Sequence, residues 1–149
     1  MSLFDTVSED IKKAMLAKEK EKLESLRAIK AAFLLARTDA GAGGELSPDA
    51  ELKIVQKLVK QRRESAEIYR QQNRQDLADK ELLEASFIEP YLPAQMSEQE
   101  LEAALKAIIE RVGAKAPSDM GKVMGVATKE LSGKADGKAI STKVKQLLG

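Results

Sequence analysis

The chain of 149 residues and 16.3 kDa has room for one ordinary domain or two small ones, and not for a large multidomain enzyme. It contains no Cys and no His, which excludes Ser-His-Asp and Cys-His nucleophile systems, thiolate and imidazole metal sites, and imidazole acid-base chemistry. Its 25 basic residues against 24 acidic ones give a net charge of +1, so the global balance demands neither nucleic acid nor an acidic membrane. The start, Met1-Ser2-Leu3-Phe4-Asp5, lacks the basic and apolar regions of a signal peptide, and no apolar run approaches the roughly 18 residues that would cross a bilayer. The expectation is a cytoplasmic protein with no membrane partner.

Composition favours helix, with 21 Ala and 18 Leu against only 7 Val, 8 Ile, 4 Thr and five aromatic residues. Ser2 with Asp5 three positions later opens a first helix to about Ala17, with Leu3, Val7, Ile11, Ala14 and Met15 on one face. The charged run Lys18 to Lys22 is the place for a bend. A second helix carries Leu23, Leu26, Ala28, Ile29, Ala32 or Phe33, and Ala36, and ends before a loop at Gly41-Ala42-Gly43-Gly44. Ser47-Pro48 starts a third helix to about Gln72, because Ser can cap free amides and Pro loses no hydrogen bond at the first helical position. Its apolar line is Leu52, Val55, Leu58 or Val59, Ala66 and Tyr69. Asn73 is the stop, and Gln75 to Phe87 reads as an acidic fourth helix with Leu77, Ala78, Leu82, Leu83 and Ala85.

Pro90-Tyr91-Leu92-Pro93 cannot continue a helix, and the expected domain boundary lies there: 1–92 as an amino-terminal domain of about four helices, 93–149 as a small three-helix domain. Ser97 and Glu100 form a capping box for a fifth helix with Leu101, Leu105, Ile108 and Val112 inward. Pro117-Ser118-Asp119 opens a sixth with Met120, Val123, Met124, Ala127 and Leu131. After a turn at Gly133 to Gly137, the last helix turns Ile140, Val144, Leu147 and Leu148 inward. The fold class is therefore all-α.

Carboxylates are the only acid-base resource in quantity, and Asp76 with Asp79 and Glu81 with Glu84 share helix faces. Nothing near them suggests a dry pocket, and they read as solvated charges, with no EF-hand spacing and hence no metal or cofactor expected. In Lys60-Gln61-Arg62-Arg63-Glu64-Ser65, Arg63 is expected to pair with Glu67, and the Arg62 stem to pack on the acidic fourth helix; the rival reading is a phosphate or carboxylate site. Gly121 and Gly125 lie four apart inside a helix, each costing roughly 1 kcal/mol relative to Ala, which close approach of another body would offset. Another helix of the same domain is the favoured body and a nucleic-acid backbone the alternative. Gly133 reads as a helix cap, Asp136 as a cap of the last helix, and Lys134 and Lys138 beside that helix start as a place for phosphate. From Gly113 onward seven lysines face three acids, a local charge of +4.

The segments Met120-Gly121-Lys122-Val123-Met124-Gly125, Gly133-Lys134-Ala135-Asp136-Gly137-Lys138 and Val144-Lys145-Gln146-Leu147-Leu148 resemble the GatB/YqeY family. So do Leu26-Arg27-Ala28-Ile29-Lys30, Lys60 to Ser65 with Tyr69, and Tyr91-Leu92-Pro93, in the family's order along nearly the whole chain. The closest likeness is to free-standing YqeY-like proteins. This resemblance implies an all-helical protein whose last three helices are similar to the tail of the B subunit of the tRNA-dependent amidotransferase. That enzyme amidates misacylated Glu-tRNA(Gln) or Asp-tRNA(Asn), and the family label is carbon-nitrogen ligase with glutamine as amide donor. The reacting centres of such enzymes lie in other domains, so no catalytic residue is expected here.

With only five aromatic side chains and no Trp, any RNA contact would follow shape and backbone. The expected RNA-binding residues are Lys122, Lys134, Lys138 and Lys143 at phosphates, with Gly121 and Gly125 permitting close approach. The rival expectation is a helical protein-protein adaptor for an amidotransferase or synthetase subunit. An enzyme working with carboxylates and Lys alone is the third.

Overall fold

A computed structural model describes residues 2–40 and 45–149, so the loop expected at Gly41 to Gly44 lies outside the described residues. Helices α1 (Leu3–Leu16), α2 (Lys20–Ala40), α3 (Pro48–Gln71), α4 (Gln75–Ile88), α5 (Glu98–Val112), α6 (Met120–Glu130) and α7 (Gly137–Leu148) account for most of them, with short 3-10 turns at Glu89–Tyr91 and Pro117–Asp119. Among the described residues there is no strand, and the all-α expectation holds. None of the helices is long and apolar enough to cross a membrane, among the described residues. The chain divides into two compact units, Met1–Leu92 and Pro93–Gly149.

In the first unit, Val7, Ile11 and Ala14 of α1 meet Leu26, Ile29 and Phe33 of α2, Val55 and Val59 of α3, and Ala85 and Ile88 of α4. Phe33 rather than Ala32, and Val59 rather than Leu58, are the fully inward choices. Met15 lies outward at the end of its stripe, as do Leu82 and Leu83, because α4 buries the line Ala78, Ala85 and Ile88 instead. The bend between α1 and α2 closes on Lys18 in the left-handed region at φ 58°, and Asn73 at φ 61° ends α3 in the same way. Asn tolerates that region better than most residues.

Polar groups fix how the helices begin. Ser2 Oγ accepts the Asp5 N–H at 3.2 Å, and Ser47 Oγ that of Ala50 at 3.1 Å. A second cap on α1 comes from far away in sequence: Glu51, buried in the first turn of α3, accepts the Phe4 N–H through Oε2 at 2.9 Å. The Phe4 ring in turn carries the Arg37 guanidinium 3.8 Å above its centroid, a cation-π seat at the edge of the core. Arg62 of α3 pairs with Glu84 of α4 at 3.3 Å, so its stem does lie against the acidic helix. Arg63 departs from expectation. It reaches Glu89 in the 3-10 turn at 2.7 Å, while Glu67 pairs with Arg70, because the turn after α4 brings Glu89 back to the α3 face that Arg63 occupies.

The second unit packs Leu101, Leu105 and Ile108 of α5 against Val123 and Ala127 of α6 and Ile140, Val144 and Leu148 of α7, with Ala114 and Leu131 closing the ends. The Ser97–Glu100 capping box is present in both directions at 3.1 Å, and Gly113 at φ 72° ends α5 in the left-handed conformation that glycine adopts without strain.

The first unit contains both tyrosines, so tyrosine fluorescence reports its unfolding. Glu51→Ala leaves the part-buried Phe4 amide without its charged acceptor and should lower the urea-derived unfolding free energy by about 1–3 kcal/mol, with Glu51→Gln, which keeps an acceptor, costing less than half of that. Tyr91 donates to Asp10 Oδ2 at 2.6 Å, and partial burial, followed by that neighbouring carboxylate, pushes its phenol well above the ordinary range near 10. A folded value raised above the unfolded one gives stability that is whole below about pH 10 and fades as pH rises through the folded value. An ultraviolet titration should show a late-ionising phenol that disappears in Tyr91→Phe.

Candidate functional site

Three of the four lysines singled out from the sequence come together in the second unit. Helix α7 starts at Asp136, whose carboxylate accepts the Lys138 N–H at 3.3 Å, and its apolar stripe of Ile140, Val144 and Leu148 is held in the core. Helical periodicity then obliges Lys138, Ala139, Thr142, Lys143 and Gln146 to share another face. Opposite that face runs the segment leading into α5. Its position is set by two long-range bonds: the Met96 N–H donates to the Lys134 carbonyl at 3.0 Å, and Gln95 Nε2 donates to the Gly133 carbonyl at 2.6 Å. Gly133, at φ 75°, supplies the left-handed corner between α6 and α7 that makes both bonds possible.

Between these walls lies an open groove of about 530 Å³, lined on one side by Lys134, Lys138, Lys143 and Gln146 and on the other by Met96, Glu98 and Leu101. Its lining mixes apolar side chains such as Met96, Leu101 and Ala135 with three ammonium groups and the carboxylates of Glu98 and Asp136. Lys134 and Lys138 are exposed, whereas the stem of Lys143 is largely covered and its ammonium meets Glu98 Oε1 at 3.1 Å. Sequence reasoning missed Glu98. No local spacing links it to Lys143, 45 positions away, and only the fold brings them together.

Lys122, Gly121 and Gly125 lie on α6 and do not line this groove. All three are exposed, and a methyl group built on either glycine would meet nothing within 4 Å beyond the local backbone of its own helix. The expected close approach of a neighbouring helix is therefore wrong. Val123 and Ala127 are the residues α6 turns to α5 and α7, and the glycine pair falls on its outer face. Lys122 also sits near Asp119, whose carboxyl is held below the usual carboxylate range by the Lys115 and Ala116 N–H groups it accepts. That fixed negative charge offsets part of the field of Lys122.

In the first unit, the carboxylates of α4 mostly have partners. Asp76 takes a forked bond from Arg74, which lowers its carboxyl, Asp79 accepts from Gln75 and Glu84 is paired with Arg62. Partial burial, then the nearby Glu84 charge, raises Glu81. Asp76, Asp79, Glu84 and exposed Leu83 line a smaller groove of about 270 Å³ with Glu21 and Glu24 of α2, and Lys80 is its one basic lining residue among those described. Among the described residues, no group of three or more acidic side chains is arranged to hold a metal ion.

Comparison with known proteins places these features in a family. A relative in Pyrenophora tritici-repentis, named Altered inheritance of mitochondria protein 41, mitochondrial, is 29% identical over 145 residues, covering 94% of this chain and 77% of its own. Proteins of the same name are 31% identical in Clavispora lusitaniae, over 76% of this chain and 66% of theirs, and 35% identical in Eremothecium gossypii, over 71% and 58%. In these last two, the match spans less than two thirds of the relative. The names overturn the expected cytoplasmic location, since each assigns its bearer to mitochondria. That expectation rested on the composition of residues 1–5 and on the lack of a long apolar run, and neither distinguishes one aqueous compartment from another. Residues 4–148 match the family model described as Yqey-like protein, which is nearly the whole length, and the chain belongs to the YqeY family.

Proposed function

We propose that this YqeY-family chain is a tRNA-associated accessory protein, similar in role to the tail of the amidotransferase B subunit. In this reading it holds folded tRNA through residues 93–149 by shape and backbone, with no catalysis of its own. The observation that carries it is the gathering of Lys134, Lys138 and Lys143 on one groove, in a stretch whose local charge is +4 although the chain as a whole is near neutral. Phosphate neutralisation supplies most of the affinity of such a surface and sets its salt dependence, while aliphatic walls read no base. The start of α7 adds its dipole at the same end of the groove as Lys138. The exposed glycines of α6 give a second surface where a backbone can come close, with Lys122 beside them. Of the α4 carboxylates, Asp76, Asp79 and Glu84 are tied to guanidinium or amide partners, which favours binding over catalysis at those three.

One observation favours the adaptor reading as well: the groove between α2 and α4 carries five carboxylates against one ammonium, beside exposed Leu82 and Leu83. It suits a basic protein segment of an amidotransferase or synthetase and repels RNA.

Charge reversal separates the two. Lys134→Glu and Lys138→Glu should each weaken retention of a tRNA transcript by the full chain in low salt and flatten the log-log salt slope by about one for each phosphate that is no longer neutralised. Lys57→Glu, on an exposed face of α3, should change neither. Unchanged retention in both groove variants rejects the RNA interface and leaves the adaptor.

A further inference from the structure

The Glu98–Lys143 pair is unequal. The Lys143 side chain is only 13% exposed, with its stem laid along the groove wall, whereas the Glu98 side chain is 83% exposed at the first position of α5. Lys143 is thus held in place by packing whether or not Glu98 is there. Glu98 is tethered only by an ion pair of the kind that, with an exposed partner, strengthens an equilibrium by about five-fold at most. The remaining acid on the rim, Asp136, is engaged at the start of α7 and stays with that helix.

We infer that the Glu98 carboxylate occupies, in the free protein, the position that an RNA backbone phosphate takes at Lys143, so that Glu98 is an internal competitor that swings out when RNA enters the groove. This inference rests on the tRNA reading above. A carboxylate and a phosphodiester both present anionic oxygens to the same ammonium, and the exchange keeps that ammonium paired throughout. The small residues between Lys138 and Lys143, Ala139 and Thr142, leave room along α7 for a sugar-phosphate strand, and the two lysines are about 7.5 Å apart along the helix axis. The competitor weakens anions that engage Lys143 alone and is outweighed by a strand that also meets Lys134 and Lys138, which makes it a device for preferring extended polyanions to isolated ones.

The test is a double-mutant cycle on the full chain with an unmodified tRNA transcript in low salt. Glu98→Gln should tighten binding about two- to five-fold, and the gain should vanish in the Lys143→Met background, which keeps the aliphatic stem. Glu102→Gln removes the same charge one turn along α5, where Glu102 pairs with Lys106, and should leave affinity nearly unchanged. A gain that persists without Lys143, or is matched by Glu102→Gln, overturns the inference and leaves the tRNA reading standing. Tightening toward a polyglutamate peptide with none toward the transcript overturns it in favour of an acidic protein ligand. Failure of the wild-type chain to bind any transcript defeats both readings.

Discussion

Burial of Ile140, Val144 and Leu148 against α5 and α6 is the constraint on which the second unit depends. Once that stripe is inside, the 3.6-residue period leaves no freedom over where Lys138, Ala139, Thr142, Lys143 and Gln146 go. The opposite wall is equally determined, because Met96 is bonded to the Lys134 carbonyl and Gln95 to the Gly133 carbonyl. The groove is therefore a consequence of core packing, of one left-handed glycine and of the two hydrogen bonds that hold its walls. Its lysines repel one another, and hydrophobic burial of the three aliphatic side chains, worth several kcal/mol in sum, outweighs that repulsion between solvated charges.

The first unit solves a different problem. It holds all five of the chain's aromatic side chains, but its helices are long and heavily charged, and polar groups at the edge of the core tie one helix to the next. Glu51 ties the start of α3 to the start of α1, Arg62 ties α3 to α4 through Glu84, and Tyr91 ties the turn after α4 back to Asp10 on α1. Each joins positions distant in sequence. Surface pairs such as Arg70–Glu67, by contrast, join positions within one helix and contribute little.

The helices were legible because their ends are written in local chemistry: Ser2, Ser47 and Ser97 at starts, Asn73 and the Pro90-Tyr91-Leu92-Pro93 run at stops. Inward faces were legible wherever aliphatic residues recur at three and four, as at Leu101, Leu105 and Ile108. Legibility failed at Leu82 and Leu83, which lie outward because α4 turns the line Ala78, Ala85 and Ile88 to the core instead. It failed again at Gly121 and Gly125, because spacing gives a shared face and does not say which way that face looks. The gathering of Lys134 and Lys138 followed from neighbouring positions, while the place of Lys143 beside Glu98, like that of Glu51 beneath Phe4, depends on tertiary packing that no spacing rule reaches.

If polyanion binding belongs to one groove of the second unit, the residues that touch RNA must cluster there. Ultraviolet crosslinking of the full chain to total tRNA, followed by mass-spectrometric mapping of the attached peptides, addresses this most directly. Adducts are expected at Gln95 and Met96 and along Lys134 to Gln146. Adducts confined to residues 1–92, or spread evenly over both units, would contradict it.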